Sequence, residues 1–327
     1  MKRREFIFLL GGVAASVPLA ARAQQPARPV IGYLGSGYAE DQKNLVAATL
    51  HGLKEAGYID GQNLTVEYRW AEGHYERLPM LAVELVNRPV ALIIAAGGSD
   101  PGRAAKAATS RIPIVFITAA DPIKAGLIAG LNRPEGNVTG ISMIGSTLEA
   151  KRLELLHEML PQATTIGVLI NPKYPAAKAQ MQEVEEATGR LGVKTVVLDA
   201  STEAEIEAAF ATLAQQQVGA VLVGNDPFFG SVRATLAALA IRYKLPAISF
   251  RREFAEAGGL LSYGPNFEDG YRETGVYAGK ILAGTKTTDL PVMQPTKFEL
   301  VINLKTAKAI GLAISESFLL RADEILE

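Results

Sequence analysis

Short apolar runs recur along this chain and alternate with segments of helical spacing. No other feature limits the possible folds as strongly. The runs occupy residues 30–34, 64–68, 92–96, 114–118, 166–170, 195–198, 220–224, 247–250 and 298–302. Most are continuous Val/Ile/Leu stretches, the pattern of parallel strands covered by helices on both faces. Between them, Val46, Leu50, Leu53 and Ala56 repeat at helical spacing and stop at Gly57, which suits a helix C-terminus. Strand–helix–strand order repeated in this way predicts an α/β fold of doubly wound parallel sheets.

The order predicts two sheets. Strand–helix units fill residues 30 to about 139, and 137–143 then runs extended without a helical partner. A second series opens at Ile166 and closes near Tyr263. One helix over about 268–282, a Gly/Pro-punctuated stretch to Pro295, a strand and terminal helices follow. Crossings between lobes are expected near residues 140, 264 and 295. Lobe 1 then comprises 29–140 plus 265–294, and lobe 2 comprises 141–264 plus 295–327. Three crossings form a hinge, and a cleft between two lobes is a favoured small-molecule site.

Residues 1–23 predict the compartment. Lys2, Arg3 and Arg4 precede an apolar stretch from Phe6 to Ala21, and Ala21-Arg22-Ala23 offers a small-x-small cleavage site. This is the plan of a secretory signal peptide, too short and Gly/Ala-rich for a permanent span. Arg3-Arg4 followed by Glu5-Phe6-Ile7 also suits a twin-arginine address. The mature protein is expected to begin near Gln24, exported to the periplasm and not membrane-spanning.

The chain has 33 Lys/Arg and 34 Asp/Glu; removing the four Lys/Arg and one Glu of the leader leaves a net charge of −4. That balance argues against nucleic acid, which needs clustered cations. The absence of cysteine excludes disulfides, thiol catalysis, zinc-thiolate sites and a lipoprotein anchor.

Several segments carry a family resemblance. They are Asn137-Val-Thr-Gly-Ile-Ser142, Lys151-Arg-Leu-Glu-Leu-Leu156, Glu253-Phe-Ala-Glu-Ala-Gly-Gly-Leu-Leu-Ser-Tyr-Gly-Pro-Asn266, and the stretch from Gln294 to Leu312. Together they resemble the periplasmic substrate-binding proteins of ABC importers, in the branch of tryptophan/tyrosine-type receptors. The resemblance spans essentially the whole mature chain. It implies a type I periplasmic-binding-protein fold with a three-segment hinge. It also implies an amino acid or related carboxylate ligand, aromatic ones favoured, an importer permease as membrane partner, and a monomer.

Other classes find less support. Gly35 and Gly37 fit a dinucleotide fingerprint, but Glu40 stands where the third glycine is needed. His51 and His157 fall on predicted helices, and His74 follows Trp70-Ala-Glu-Gly73 in a loop. No nucleophile elbow or paired carboxylates at strand ends appear, and no histidine is placed to activate Ser99. No cofactor or metal is indicated. A signal peptide also stands where DNA-binding relatives of this fold carry a helix-turn-helix.

In open α/β sheets, ligands sit beyond the carboxyl ends of the strands. The candidate ligand-binding residues there are Ser36, Gly37, Tyr38, Gly98, Ser99, Thr118 and Asp121 in the first lobe. Tyr174, Asp226, Phe228, Arg252 and Tyr263 are the candidates in the second. Amides and hydroxyls suit a carboxylate, an acid suits an ammonium, and aromatic faces suit a side chain. Each has a structural alternative: Ser36 and Ser99 as helix caps, Asp121 and Asp226 as turn formers before proline, the aromatics as packing, Arg252 as a salt-bridge partner. The expected function is solute capture by hinge closure and delivery to a permease. A ligand-sensing domain for a signalling partner and an exported α/β enzyme are the alternatives.

Overall fold

The computed structural model describes residues 28–143 and 148–327; the leader lies outside the described residues. The first sheet has five parallel strands in the order β2-β1-β3-β4-β5. They are β1 (Val30–Gly35), β2 (Thr65–Trp70), β3 (Val90–Ala96), β4 (Ile114–Thr118) and β5 (Val138–Ser142). Helices α1 (Lys43–Glu55), α2 (Leu78–Val86) and α3 (Ser99–Ala108) form the crossovers. Apolar clusters lie on both faces, one around Ile31, Leu92 and Val115, the other around Leu34, Ile93 and Phe116. The continuous apolar runs follow from this two-sided cover.

The second sheet runs β12-β11-β10-β9-β8-β6-β7. Its strands are β6 (Thr165–Ile170), β7 (Lys194–Asp199), β8 (Ala220–Val223), β9 (Ala247–Ser249), β10 (Leu261–Pro265), β11 (Phe298–Asn303) and β12 (Glu324–Leu326). Helices α4 (Glu149–Met159), α5 (Ala177–Leu191), α6 (Glu203–Gln215), α7 (Pro227–Ser231), α8 (Arg233–Arg242) and α9 (Arg252–Glu256) belong to it. The expectation of an α/β chain with two parallel-sheet lobes holds.

Three strands go beyond the sequence reading. Residues 138–142 are paired in parallel with β4 as the first sheet's edge. Residues 261–265, read as a crossing, form a full strand parallel to β9. β12 is a short edge strand without an apolar run long enough to announce it.

From β10 the chain passes to α10 (Phe267–Leu282), which packs along α1 in the first lobe. It returns as β11, antiparallel to β10. Departure and return side by side explain this antiparallel pair. On the way back, Met293 bonds to Gly140 and Ser142 of β5, so the returning segment lies along the edge strand of the first sheet. Helices α11 (Leu304–Ile310) and α12 (Glu316–Leu319) complete the second lobe.

Contact between α1 and α10 is made through glycine. A Cβ on Gly52 would overlap the carbonyl oxygen of Arg272, and one on Gly275 would overlap that of Thr49. The two backbones touch, and α10 is thereby seated beside the cleft.

Candidate functional site

The carboxyl ends of the two sheets face each other around a cavity of about 30 Å³. The first lobe lines it with Gly97, Gly98, Ile117, Thr118 and Ala119, and with Gln42 and Leu45 at the start of α1. The second contributes Tyr174, Asn225, Pro227, Phe250 and Arg251, while Phe267 and Tyr271 come from α10.

On the first side the chain turns sharply after β3. Gly97 and Gly98 have φ of 87° and 115°, conformations that side chains rarely adopt. Ser36 donates its hydroxyl to the Gly97 carbonyl, and a Cβ on Gly97 would collide with the Ser36 hydroxyl oxygen. The Gly97 N–H in turn bonds the Tyr271 hydroxyl, whose pKa burial pushes up to about 12. Helix α3 starts at Ser99 with no side chain capping its first turn. Its leading amides are therefore available to an anion at the cavity.

On the second side Asp226 caps α7, with Pro227 at the first helical position. Its Oδ1 accepts from the N–H groups of Phe228 (2.6 Å) and Phe229 (3.3 Å). Its Oδ2 faces Asn171 Nδ2 at 3.3 Å and the Tyr75 hydroxyl at 3.4 Å. Burial pushes this carboxyl up to about 6 in spite of these donors. Tyr75 belongs to the first lobe, and its ring lies 6.1 Å from that of Tyr174.

Arg251 is 7% exposed, bonded to both carboxylate oxygens of Glu253 (2.7 and 3.3 Å), and sits 5.2 Å over the Phe267 ring. Its charge is thus offset by a neighbour. Among the described residues no cation is bonded to Asp226, so the local balance is negative and favours a ligand with an ammonium group.

The candidates from sequence divide into three groups. Gly98, Thr118 and Tyr174 line the cavity. Ser36, Ser99 and Asp226 are buried directly behind lining residues, and Gly37 packs against the lining residue Gln42. The other five do not line it. Tyr38 is 44% exposed, and Phe228 packs its ring against Phe229. Asp121 closes a turn by accepting from the N–H groups of Ile123 and Lys124.

Arg252 bonds to Glu256, Glu299 and Glu324. It is the first helical residue after the extended Arg251, so neighbouring side chains diverge and Arg251 takes the cavity. Tyr263 stacks on Phe298.

Sequence reasoning missed Gln42, Phe267, Tyr271 and Tyr75 as site residues, since none stands at the end of an apolar run. Asn225, Phe250 and Arg251 stand at or directly after the apolar runs 220–224 and 247–250 but are not among the candidates. Among the described residues no three His, Asp or Glu side chains converge as a metal site, and no helix is long and apolar enough to cross a membrane.

Comparison with known proteins places the cleft in context. The model of the family described as "ABC transporter substrate binding protein" matches residues 40–326. A tyrosine-binding protein of Clostridioides difficile (strain R20291) is 28% identical over 260 residues, which are 80% of this chain and 74% of that protein. An ABC domain from Streptococcus pneumoniae, solved in complex with L-Trp, superposes with a TM-score of 0.79 at 26% identity; the match covers 92% of this chain and 100% of that one. A ligand-free, open substrate binding protein from Clostridium difficile gives 0.65, also at 26% identity, with 91% and 99% covered. The better fit to the ligand-bound structure agrees with the contacts that Tyr75 and Phe267 make across the cleft.

Proposed function

This chain belongs to the family of ABC transporter substrate binding proteins, and on that premise we propose that it is an extracytoplasmic receptor for an amino acid or related carboxylate, aromatic ones favoured. It delivers that ligand to an importer permease. The observation that carries this reading is the cavity walled by both lobes, with the leading amides of α3 on one side and Asp226 buried behind the wall of the other.

The ligand's carboxylate meets the leading amides of α3 beside Gly98 and Thr118. Its ammonium is drawn to Asp226, and its side chain packs on Tyr174, Phe250 and Phe267. With the lobes in contact the cavity, at about 30 Å³, is far smaller than a pocket for an amino acid. A ligand of amino-acid size therefore enters with the lobes apart and sets the spacing at which they close. Binding groups from opposite lobes are bridged only in the closed form, which converts binding energy into a shape that a permease can read. The lobes in their three-segment arrangement, the cleaved leader, the periplasmic location and the monomeric state belong to the same proposal.

The test is a thermal-shift screen of protein refolded to strip carried-over ligand, against amino acids, aromatic acids, amides and sugars. A ligand at 100 times its Kd stabilises by about 2.7 kcal/mol, a shift of a few degrees. A shift confined to tyrosine, tryptophan or phenylalanine supports the reading. Equal shifts from aromatic acids lacking the α-amino group would remove the role given to Asp226, and shifts from sugars alone would overturn the ligand class.

A further inference from the structure

Helix α4, which follows the first crossing, carries Glu149 and Arg152 one turn apart, and neither side chain has any solvent exposure. Arg152 Nε donates to Glu149 Oε2 at 3.2 Å, and Nη2 lies 3.0 Å from Oε1. Burying both charges removes them from water at a cost comparable to their attraction, so such a pair adds little net stability over apolar residues of the same size. What distinguishes it here is the identity of its other partners.

Glu149 Oε1 accepts from the backbone N–H of Asn225 at 3.2 Å. Asn225 lines the cavity and lies beyond the end of β8; the last ladder bond there is made by Gly224 to Leu169. Its carbonyl is bonded by the Gln180 side chain. The backbone of this cavity residue is thus held at both ends by side chains and not by the sheet.

Arg152 Nη1 donates to the carbonyl of Tyr263 at 3.1 Å. Tyr263 stands in β10 two residues before the second crossing, and its ring stacks on Phe298, the first residue of β11 after the third. One buried pair therefore touches the helix after the first crossing, the strand before the second and a wall of the cavity.

We propose that Glu149 and Arg152 are positioning residues that couple ligand capture to the hinge. The pair sets where Asn225 stands in the cavity and holds β10 by its carbonyl. A ligand seated against Asn225 then biases the strand through which the lobes rotate. This rests on the receptor reading above for the ligand, but the mechanical link is testable without one.

The experiment compares the wild type with the double variant Glu149→Leu/Arg152→Met and the single variant Arg152→Met. The single variant strands a buried carboxylate and is expected to unfold more easily, whereas the double variant removes both charges and keeps its Tm within a few degrees. In each, amide hydrogen exchange is followed at Asn225 and along β10. Because the chain has no cysteine, dyes placed by Lys54→Cys on α1 and Gln215→Cys on α6 report the distance between lobes.

In the double variant, the amide of Asn225 should exchange about tenfold faster than in the wild type. The ligand-free lobe distance should broaden, and L-tyrosine or L-tryptophan should narrow it less than in the wild type. Wild-type exchange and an unchanged distance distribution in a stable double variant would overturn the coupling. So would a Tm loss as large as in the single variant, which would make the pair a purely structural element. If neither amino acid moves the wild-type distance, the ligand class falls, while the exchange and ligand-free distances still decide the inference.

Discussion

The Tyr75 hydroxyl donates to Asp226 Oδ2 across the cleft, at 3.4 Å and over 151 positions of sequence. Tyr75 packs against an apolar cluster of each lobe at once. A single side chain therefore helps to hold the closed form together. Tyr75→Phe keeps the ring and removes the bond, costing about 0.5–1.5 kcal/mol. Tyr75→Ala removes both, and small-angle scattering of the ligand-free variant should show a larger radius of gyration. An unchanged radius in Tyr75→Ala would show that the closed form does not depend on this bridge.

Asp226 is held in its site at the expense of stability. Its carboxyl is raised from the ordinary value near 3.8 to about 6, because burial outweighs the donors around it. An acid with a raised pKa binds its proton more tightly when folded, so its contribution is full below about pH 4 and is lost as pH rises through 6. Asp226→Asn keeps an oxygen for the Phe228 and Phe229 amides. It should be more stable than the ligand-free wild type at pH 8 by up to about 3 kcal/mol, with no difference at pH 4. The same variant should lose tyrosine and tryptophan binding, measurable by calorimetry. Retained affinity would remove Asp226 from the ammonium site.

Glu183 on α5 follows the same sign. Burial first, and Glu149 second, push its carboxyl up to about 7, against the opposing pull of Lys124 and Arg152. Stability is expected to fall as pH rises from about 4.5 to 7, weakened by solvent screening because the group is half exposed. Glu183→Gln should flatten that part of the Tm profile between pH 5 and 8. A profile parallel to the wild type would assign the slope to other groups.

The glycine contact between α1 and α10 allows no added atom. Gly52→Ala or Gly275→Ala should force the helices apart at a cost of about 1–3 kcal/mol, seen as a Tm lower by several degrees. Tyr271 and Phe267 ride on α10, so ligand affinity should fall as well. Gly284→Ala serves as a control: it is a strained position with φ of 102° but has nothing within reach of its Cβ, so stability should drop while affinity stays. Equal affinity in all three variants would separate α10 seating from the site.

Much of the fold was legible because parallel strands buried on both faces must be written as continuous apolar runs. Ile114 to Thr118 and Ile166 to Ile170 could hardly be anything else. β10 was harder to read, since Leu261-Ser-Tyr-Gly-Pro265 mixes small and polar residues with a proline and is made a strand by its neighbours β9 and β11. Within the site, Gly98, Thr118 and Tyr174 were found because ligands gather at strand ends. Tyr271 was not, because helical spacing marks it only as a core residue.

By itself the sequence determined the strand–helix alternation, the two-lobed α/β class and the family. Local periodicity and short motifs carry that information without reference to distant residues. Only the tertiary structure decided which polar groups share a site. Tyr75 reaches Asp226, Arg251 and not Arg252 meets Phe267, and Glu149 fixes Asn225. Each of these depends on side-chain direction and on closure of long loops, quantities set by packing and not written in any local stretch of the chain.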